Sequence, residues 1–173
     1  MVLDDIISQS QSAFVAGRLI TDNILLAYET THFMHLRKGG RDGLADVKID
    51  MSNAFDRVEW SFLENLMLKL GFNSHWVKLV MNCITSVTYR VKVNKNLTEL
   101  ITPQRGLRQG CPLSPYLFIL CAEGLSALFK KAEEDGSLHG VQVCPAAPRI
   151  NHLFFADDSL IFLKVNASSA RKL

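Results

Sequence analysis

The chain has 173 residues, is 48% hydrophobic and carries a formal net charge of +2, so it has material for a compact core but too little net charge to name a partner. No apolar run approaches the roughly 18 residues of a membrane span, the first residues do not form a signal peptide, and no membrane partner is expected. The four cysteines, Cys83, Cys111, Cys121 and Cys144, stand far apart without a C-x-x-C pair or Cys/His cluster, which sets aside a zinc module or disulfide scaffold and fits a reducing compartment.

The opening "MVLDDIISQSQSAFVAGRLI" lacks a cap or other punctuation and reads as an interior piece of a longer chain. Asp22 can cap a helix with Ile24, Leu25, Tyr28, Thr31, Phe33 and Met34 at its apolar and semi-polar positions, ending near Lys38-Gly39-Gly40. "GLADVKIDM", 43–51, reads as a strand of imperfect alternation. A helix is predicted over about 59–70, with Phe62, Leu63, Leu66, Met67 and Leu70 at three- and four-residue spacing and Gly71 at its stop. Ser74 can cap a third helix carrying Trp76, Val77, Val80, Met81 and Ile84.

"YRVKV", 89–93, alternates as a strand, with Asn94-Lys95-Asn96 as a turn before "LTELI". From Thr88 to Arg108, Arg90, Lys92, Lys95, Arg105 and Arg108 face one acid, Glu99. That excess suits either a phosphate backbone or a plain solvated face. "TPQRGLRQGCPLSP" leads into a helix over about 116–131, with Leu117, Leu120, Cys121, Leu125, Leu128 and Phe129 toward its core. A short strand around 138–143, a proline-containing loop and a hairpin with Asp157 and Asp158 at or near its tip complete the chain. Strands and helices without strict alternation predict an α+β fold, helices packed on an antiparallel or mixed sheet.

Three stretches hold residues suited to chemistry. In "VKIDMSNAFDRVEW", Asp50 ends an apolar strand; it is either a turn cap or a rigidly held ligand, and Phe55 is either core or a pocket wall. In "NHLFFADDSLIFLK", Asp157 and Asp158 interrupt an apolar run, which is costly for carboxylates left without partners. With Asp50 they offer hard oxygen ligands for Mg²⁺, and a cation would relieve their repulsion. A plain turn would also accommodate two aspartates. In "RGLRQGCPLSP", 105–115, Gly106 and Gly110 permit close backbone approach, Pro112 and Pro115 stiffen the path, Arg105, Arg108 and Gln109 offer phosphate or base-edge contacts, and Ser114 can cap the helix. The spacing is not that of a G-x-x-x-x-G-K-[ST] nucleotide loop.

Taken together and in this order, "IDMSNAFDRVEW", "RGLRQGCPLSPYLF" and "FFADDSLIF" resemble the reverse transcriptases of non-LTR, LINE-type retrotransposons, especially those of plants. "QSAFVAGRLITDNI", with Gln11, Phe14, Gly17, Arg18 and Asp22, is similar to the finger-side segment of that family. The resemblance implies a reverse-transcriptase palm with part of the fingers and without the thumb: a partial domain over 1–173, about 1–40 finger-side and about 41–173 palm-centred. It implies RNA-directed DNA polymerisation by two-metal phosphoryl transfer, with Asp50 and Asp157 as ligands of two Mg²⁺ (Mn²⁺ a substitute) and Asp158 shaping the local field. Phe55, which stands at the family's aromatic position, would select the sugar. Gln109, Gly110 and Pro112 would meet the nucleotide, and Arg18, Arg105, Arg108, Leu113 and Ser114 the template or primer. Phe155 stands where many relatives have tyrosine. The implied partners are an RNA template, a DNA primer, deoxynucleoside triphosphates and the finger and thumb segments of a longer protein; the implied location is the nucleus, with a cytoplasmic stage. Rival readings are an inactive nucleic-acid-binding remnant, a structural remnant, and a two-metal nuclease, which leaves Phe55 and the glycine-rich loop unexplained.

Overall fold

Apolar runs of four to eight residues form a central strand only when both faces of the sheet are covered, and "LIFL" does so. The computed structural model describes residues 2–37 and 43–165. In it β5 (Asp158–Val165) lies between β1 (Gly43–Asp50) and β4 (His152–Phe155), both antiparallel to it. The register pairs Leu44 with Lys164, Val47 with Ile161 and Asp50 with Asp158. β1 flanks β5 and is mostly exposed or half-buried, which accounts for its imperfect alternation.

Each face of this sheet has its own helix. On one, Leu153, Phe162, Leu44 and Leu160 pack with Ala27, Phe33 and Met34 of α2 (Ile20–Leu36). On the other, Phe154, Ile161, Leu163 and Val47 pack with Ala122 and Phe129 of α5 (Ser114–Glu134). Behind that second face Ser8 and Ser126 share a hydroxyl contact at 2.8 Å, and the Ser126 hydroxyl meets His152 Nε2 at 2.8 Å. His152 Nδ1 meets Asn151 Oδ1, and Asn151 Nδ2 donates to Glu133. An amide oxygen can only accept, so Nδ1 carries the ring proton and Nε2 accepts from Ser126. Burial pushes the His152 pKa down to about 4.

The chain groups into two compact units, residues 1–52 with 122–173, and residues 53–121. The sheet belongs to the first, with the short α1 (Val2–Ile6). The second holds a 3-10 turn (Phe55–Arg57), α3 (Trp60–Lys69), α4 (Ser74–Thr85) and the small ribbon β2 (Lys92–Val93) with β3 (Asn96–Leu97). Leu63 and Met67 of α3 and Val77, Val80 and Met81 of α4 are buried, at the helical spacing the sequence displays.

The α+β expectation holds, and helices do pack on an antiparallel sheet. Several local expectations change. α2 starts at Ile20 without a side-chain cap, so Asp22 sits in its first turn. Ile24, Leu25 and Tyr28 are exposed there, while Asn23 and Thr30 are buried. The expected helix end at Lys38, Gly39 and Gly40 lies outside the described residues. Asn73, one residue before Ser74, caps α4 by accepting from the His75 N–H at 2.9 Å. The strand expected over 89–93 shrinks to Lys92–Val93 plus an isolated Tyr89–Ile101 bridge, and that over 138–143 to a Val141–Ile150 bridge. Leu125 and Leu128 of α5 face outward, whereas Phe118 and Ile119 are buried.

Candidate active site

The hairpin turn sets the first half of the site. β4 ends at Phe155, Ala156 and Asp157 form the turn, and Asp158 opens β5. Ala156 has φ 53°, a left-handed conformation that costs a non-glycine residue about 1–3 kcal/mol. Its surroundings hold it there. The buried Gln11 accepts the Ala156 N–H on Oε1 at 3.2 Å and the Ala13 N–H at 2.9 Å. The Phe154 carbonyl accepts from Asn23 Nδ2 at 2.9 Å and from the Ser12 N–H at 3.2 Å. The Phe154 N–H donates to the Ser10 carbonyl at 2.7 Å. Gln11 appears in the sequence only as part of a finger-side resemblance; its service to the turn arises from a contact across 145 residues that no local signal announces.

Sequence distance is bridged as expected: the strand ending at Asp50 lies beside the hairpin. The register, however, sets Asp158 rather than Asp157 directly opposite Asp50. Like charges so placed repel. Lys48, two residues before Asp50 and on the same face of β1, relieves this by pairing with Asp158 Oδ1 at 3.2 Å. Both partners are well exposed, so the pair contributes at most about 1 kcal/mol. Asp50 is exposed and Asp157 half-buried. Beside Lys48 and Asp158 a groove of about 220 Å³ runs along Ile20, Asn23 and Ile24 of α2.

Arg18 has a different employment from a strand contact. Its guanidinium donates to the carbonyls of Ile7 (2.8 Å), Ser8 and Gln11 (2.7 Å), fastening the chain after α1.

The second unit assembles the other half of the sequence motifs. Phe55 is half-buried and stacked on Phe118, ring centroids 4.9 Å apart at 14°. The glycine-rich loop is fastened to the 3-10 turn and the residue after it: Leu107 N–H donates to the Phe55 carbonyl and Gly106 N–H to the Val58 carbonyl, both at 2.8 Å. Trp60 Nε1 donates to the Gly106 carbonyl at 2.7 Å. Gly106 has φ 92°, and a Cβ there would stand 3.1 Å from the Asp56 backbone. Gly110 has φ 79° with open space around it.

Ser114 is buried, and its hydroxyl donates to the Arg108 carbonyl at 2.7 Å, so it braces the loop rather than capping α5. Any influence of Ser114 on a bound strand runs through that loop. Gln109, Pro112 and Arg108 are exposed and Leu113 half-buried. Arg105 is exposed and paired with Glu59 at 3.2 Å. The Leu113 N–H, opposed by burial and helped by Ser114 and the Arg108 charge, draws the Cys111 thiol below its ordinary value. Arg90, Lys92 and Lys95 are exposed on the ribbon, whose Asn94-Lys95 tip has φ 49° and 71°, as in a type I′ turn.

Aspartates are the right donors for Mg²⁺, which takes one or two carboxylates together with substrate phosphates. Among the described residues, no three His, Cys, Asp or Glu side chains gather closely enough to hold a metal. The two expected ligands, Asp50 and Asp157, stand at the end of β1, exposed, and in the hairpin turn, half-buried. Asp50 is opposed by Asp158, and Asp158 already has Lys48 as its cation.

A family model described as "Reverse transcriptase (RNA-dependent DNA polymerase)" matches residues 1–172. The chain is 33% identical over 160 residues to the transposon TX1 uncharacterized 149 kDa protein of Xenopus laevis, covering 92% of this chain and 12% of that protein. Over 60 residues it is 65% identical to an uncharacterized mitochondrial protein of Arabidopsis thaliana, covering 35% of this chain and 49% of that one. A retrovirus-related Pol polyprotein from the type-1 retrotransposable element R2 of Popillia japonica is 28% identical over 130 residues, 75% of this chain and 20% of its own length. The chain therefore spans about half or less of these relatives. Among solved structures, telomerase of Candida albicans with a fragment of telomeric RNA has a TM-score of 0.62 at 14% identity, covering 95% of this chain and 28% of that one. The corresponding telomerase of Candida tropicalis has a TM-score of 0.60 at 16% identity, covering 93% and 26%.

Proposed function

The chain belongs to the reverse transcriptase family, and on that premise we propose that it acts as a palm that grips nucleic acid without itself completing phosphoryl transfer. The carrying observation is the disposition of the carboxylates: Asp50 faces Asp158, Asp158 is taken by Lys48, and no three metal-binding side chains gather among the described residues. What remains suited to a ligand is cationic and exposed. Arg90, Lys92, Lys95 and Arg108 can neutralise phosphates.

A second reading is favoured by one observation, the pairing of Asp50 with the aspartate turn across about a hundred residues. In a longer protein of the non-LTR retrotransposon type, of plant affinity and working in the nucleus, the same palm would serve an RNA-directed DNA polymerase. RNA template, DNA primer and deoxynucleoside triphosphates would be its partners, Phe55 would lie under the sugar, and Gln109 to Ser114 would order the strands.

Primer–template anisotropy and single-nucleotide extension on an RNA template with Mg²⁺ separate the two readings. The chain should bind, more weakly as salt rises, and should not extend the primer. Asp50→Asn should leave binding equal or slightly tighter, because a negative charge is removed. Extension by this chain that disappears in Asp50→Asn and Asp157→Asn would overturn the proposal in favour of the polymerase reading.

A further inference from the structure

The end of the sheet remote from the aspartate turn holds a cavity of about 450 Å³. Phe33 and Arg37 from the end of α2, Leu44 of β1, Lys164 of β5, and Cys144 and Arg149 from the 140–149 segment line it. Leu44 and Lys164 are register partners six residues from the Asp50–Asp158 pair, a separation of roughly 20 Å at about 3.3 Å per residue. It is therefore a different site from the aspartate turn.

Its composition is one-sided. Among the described residues three cations and no carboxylate line it, and among them neither Arg37, Arg149 nor Lys164 has an ion-pair partner. Like charges around one opening repel one another, and an anion seated among them removes the repulsion. The remaining wall is largely apolar, and the volume falls within the range of small-molecule pockets. The wall is also fixed. Gln142 Nε2 donates to the carbonyls of Ala147 at 2.8 Å and Pro145 at 3.2 Å, and Val141 and Ile150 exchange backbone hydrogen bonds at 2.9 and 2.8 Å. The Lys164 N–H is held by the His139 carbonyl at 2.9 Å.

We propose that this cavity receives one nucleotide unit of a single-stranded nucleic acid, with its phosphate among Arg37, Arg149 and Lys164 and its base or sugar against the apolar wall. The inference rests on the nucleic-acid-binding reading for the class of ligand, not for the place. It adds a second anchoring point on the sheet, at the end away from the aspartates, and makes the strand's hold on the chain bidentate.

Two measurements on the 173-residue chain test it, using a fluorescent single-stranded RNA of roughly 12 nucleotides, within the usual range of site sizes. First, Arg37→Gln with Arg149→Gln should weaken binding about tenfold and lower the salt slope by about one. The charge-matched Lys130→Gln with Lys131→Gln, on the exposed side of α5, should change affinity less than about twofold. Second, Cys144 is exposed at the cavity, and RNA should slow its alkylation about fivefold in the wild-type chain and not in the Arg37/Arg149 double variant, as read by peptide mass spectrometry. RNA binding that leaves Cys144 unprotected, or that falls equally in both double variants, would overturn the cavity proposal while leaving the nucleic-acid reading intact. Protection by adenosine monophosphate or inorganic phosphate but not by RNA would overturn it in favour of a small-phosphate site. Absence of any RNA binding by the wild-type chain would overturn both.

Discussion

The aspartate hairpin and the glycine-rich loop each turn on a residue of positive φ, Ala156 at 53° and Gly106 at 92°, but they are held by different means. The hairpin is fixed from outside, by apolar strands covered on both faces and by polar side chains, Gln11 and Asn23, reaching in from far along the chain. The loop is fixed by its near neighbours, with Gly106 and Leu107 bonded to the Val58 and Phe55 backbone, Trp60 and Ser114 bracing its carbonyls, and a tight 3.1 Å between any Gly106 Cβ and the Asp56 backbone. The hairpin should thus yield by degrees as its supports are removed, whereas a bulky side chain at the single position Gly106 should strain the loop.

The largest effect expected from this contrast is at Gly106. Gly106→Val combines a left-handed φ with a 3.1 Å approach to backbone that cannot swing away, and should cost more than about 3 kcal/mol in urea unfolding. Gly110→Ala, with the same sign of φ and open space, should cost only about 1–2 kcal/mol. Equal losses at the two glycines would contradict the backbone-intimacy account of the loop.

The hairpin's supports come next. His152 is neutral in the fold, its pKa pushed by burial to about 4 from an ordinary 6.5. Below pH 6.5 the unfolded chain takes up a proton that the folded chain refuses. Stability is therefore complete above about pH 6.5 and falls as pH drops toward 4, by a total of about 3 kcal/mol. Unfolding midpoints from pH 4 to 7 should show this slope in the wild-type chain and lose it in His152→Gln; a difference between the two that does not vary with pH would remove His152 from the account. Gln11→Ala, which leaves the Ala156 and Ala13 N–H groups without their acceptor, should cost about 1–3 kcal/mol and speed amide exchange at Ala156 more than in α3. Lys48→Gln should have the smallest effect on stability, under about 1 kcal/mol, because its ion pair with Asp158 is exposed.

The same contrast explains what could be read from the residues alone. Strand β5, the hairpin and helices α3 and α4 were legible because burial dictates their apolar spacing. The caps shifted by one residue at Asn73, since asparagine and serine serve that position almost equally well. In α2 the apolar Ile24, Leu25 and Tyr28 are exposed because its fully buried positions go to polar residues with specific tasks. Asn23 donates to the Phe154 carbonyl and Thr30 to the Leu26 carbonyl, and no periodicity of apolar residues can reveal them. The contacts of Arg18 with three backbone carbonyls follow from how the chain folds back after α1, which no local pattern announces. At the aspartates the residue types were legible, but the register was not. A shift of one position decides whether Asp157 or Asp158 faces Asp50, and Lys48 became significant only once its neighbour across the sheet was known.

The most direct test of the central claim, that these carboxylates do not assemble a divalent-cation site in this chain, is Mn²⁺ binding followed by electron paramagnetic resonance with primer–template and nucleotide present. The account predicts the same bound Mn²⁺ for the wild-type chain, Asp50→Asn and Asp157→Asn. A saturable site in the wild-type chain that is lost in both variants would contradict it.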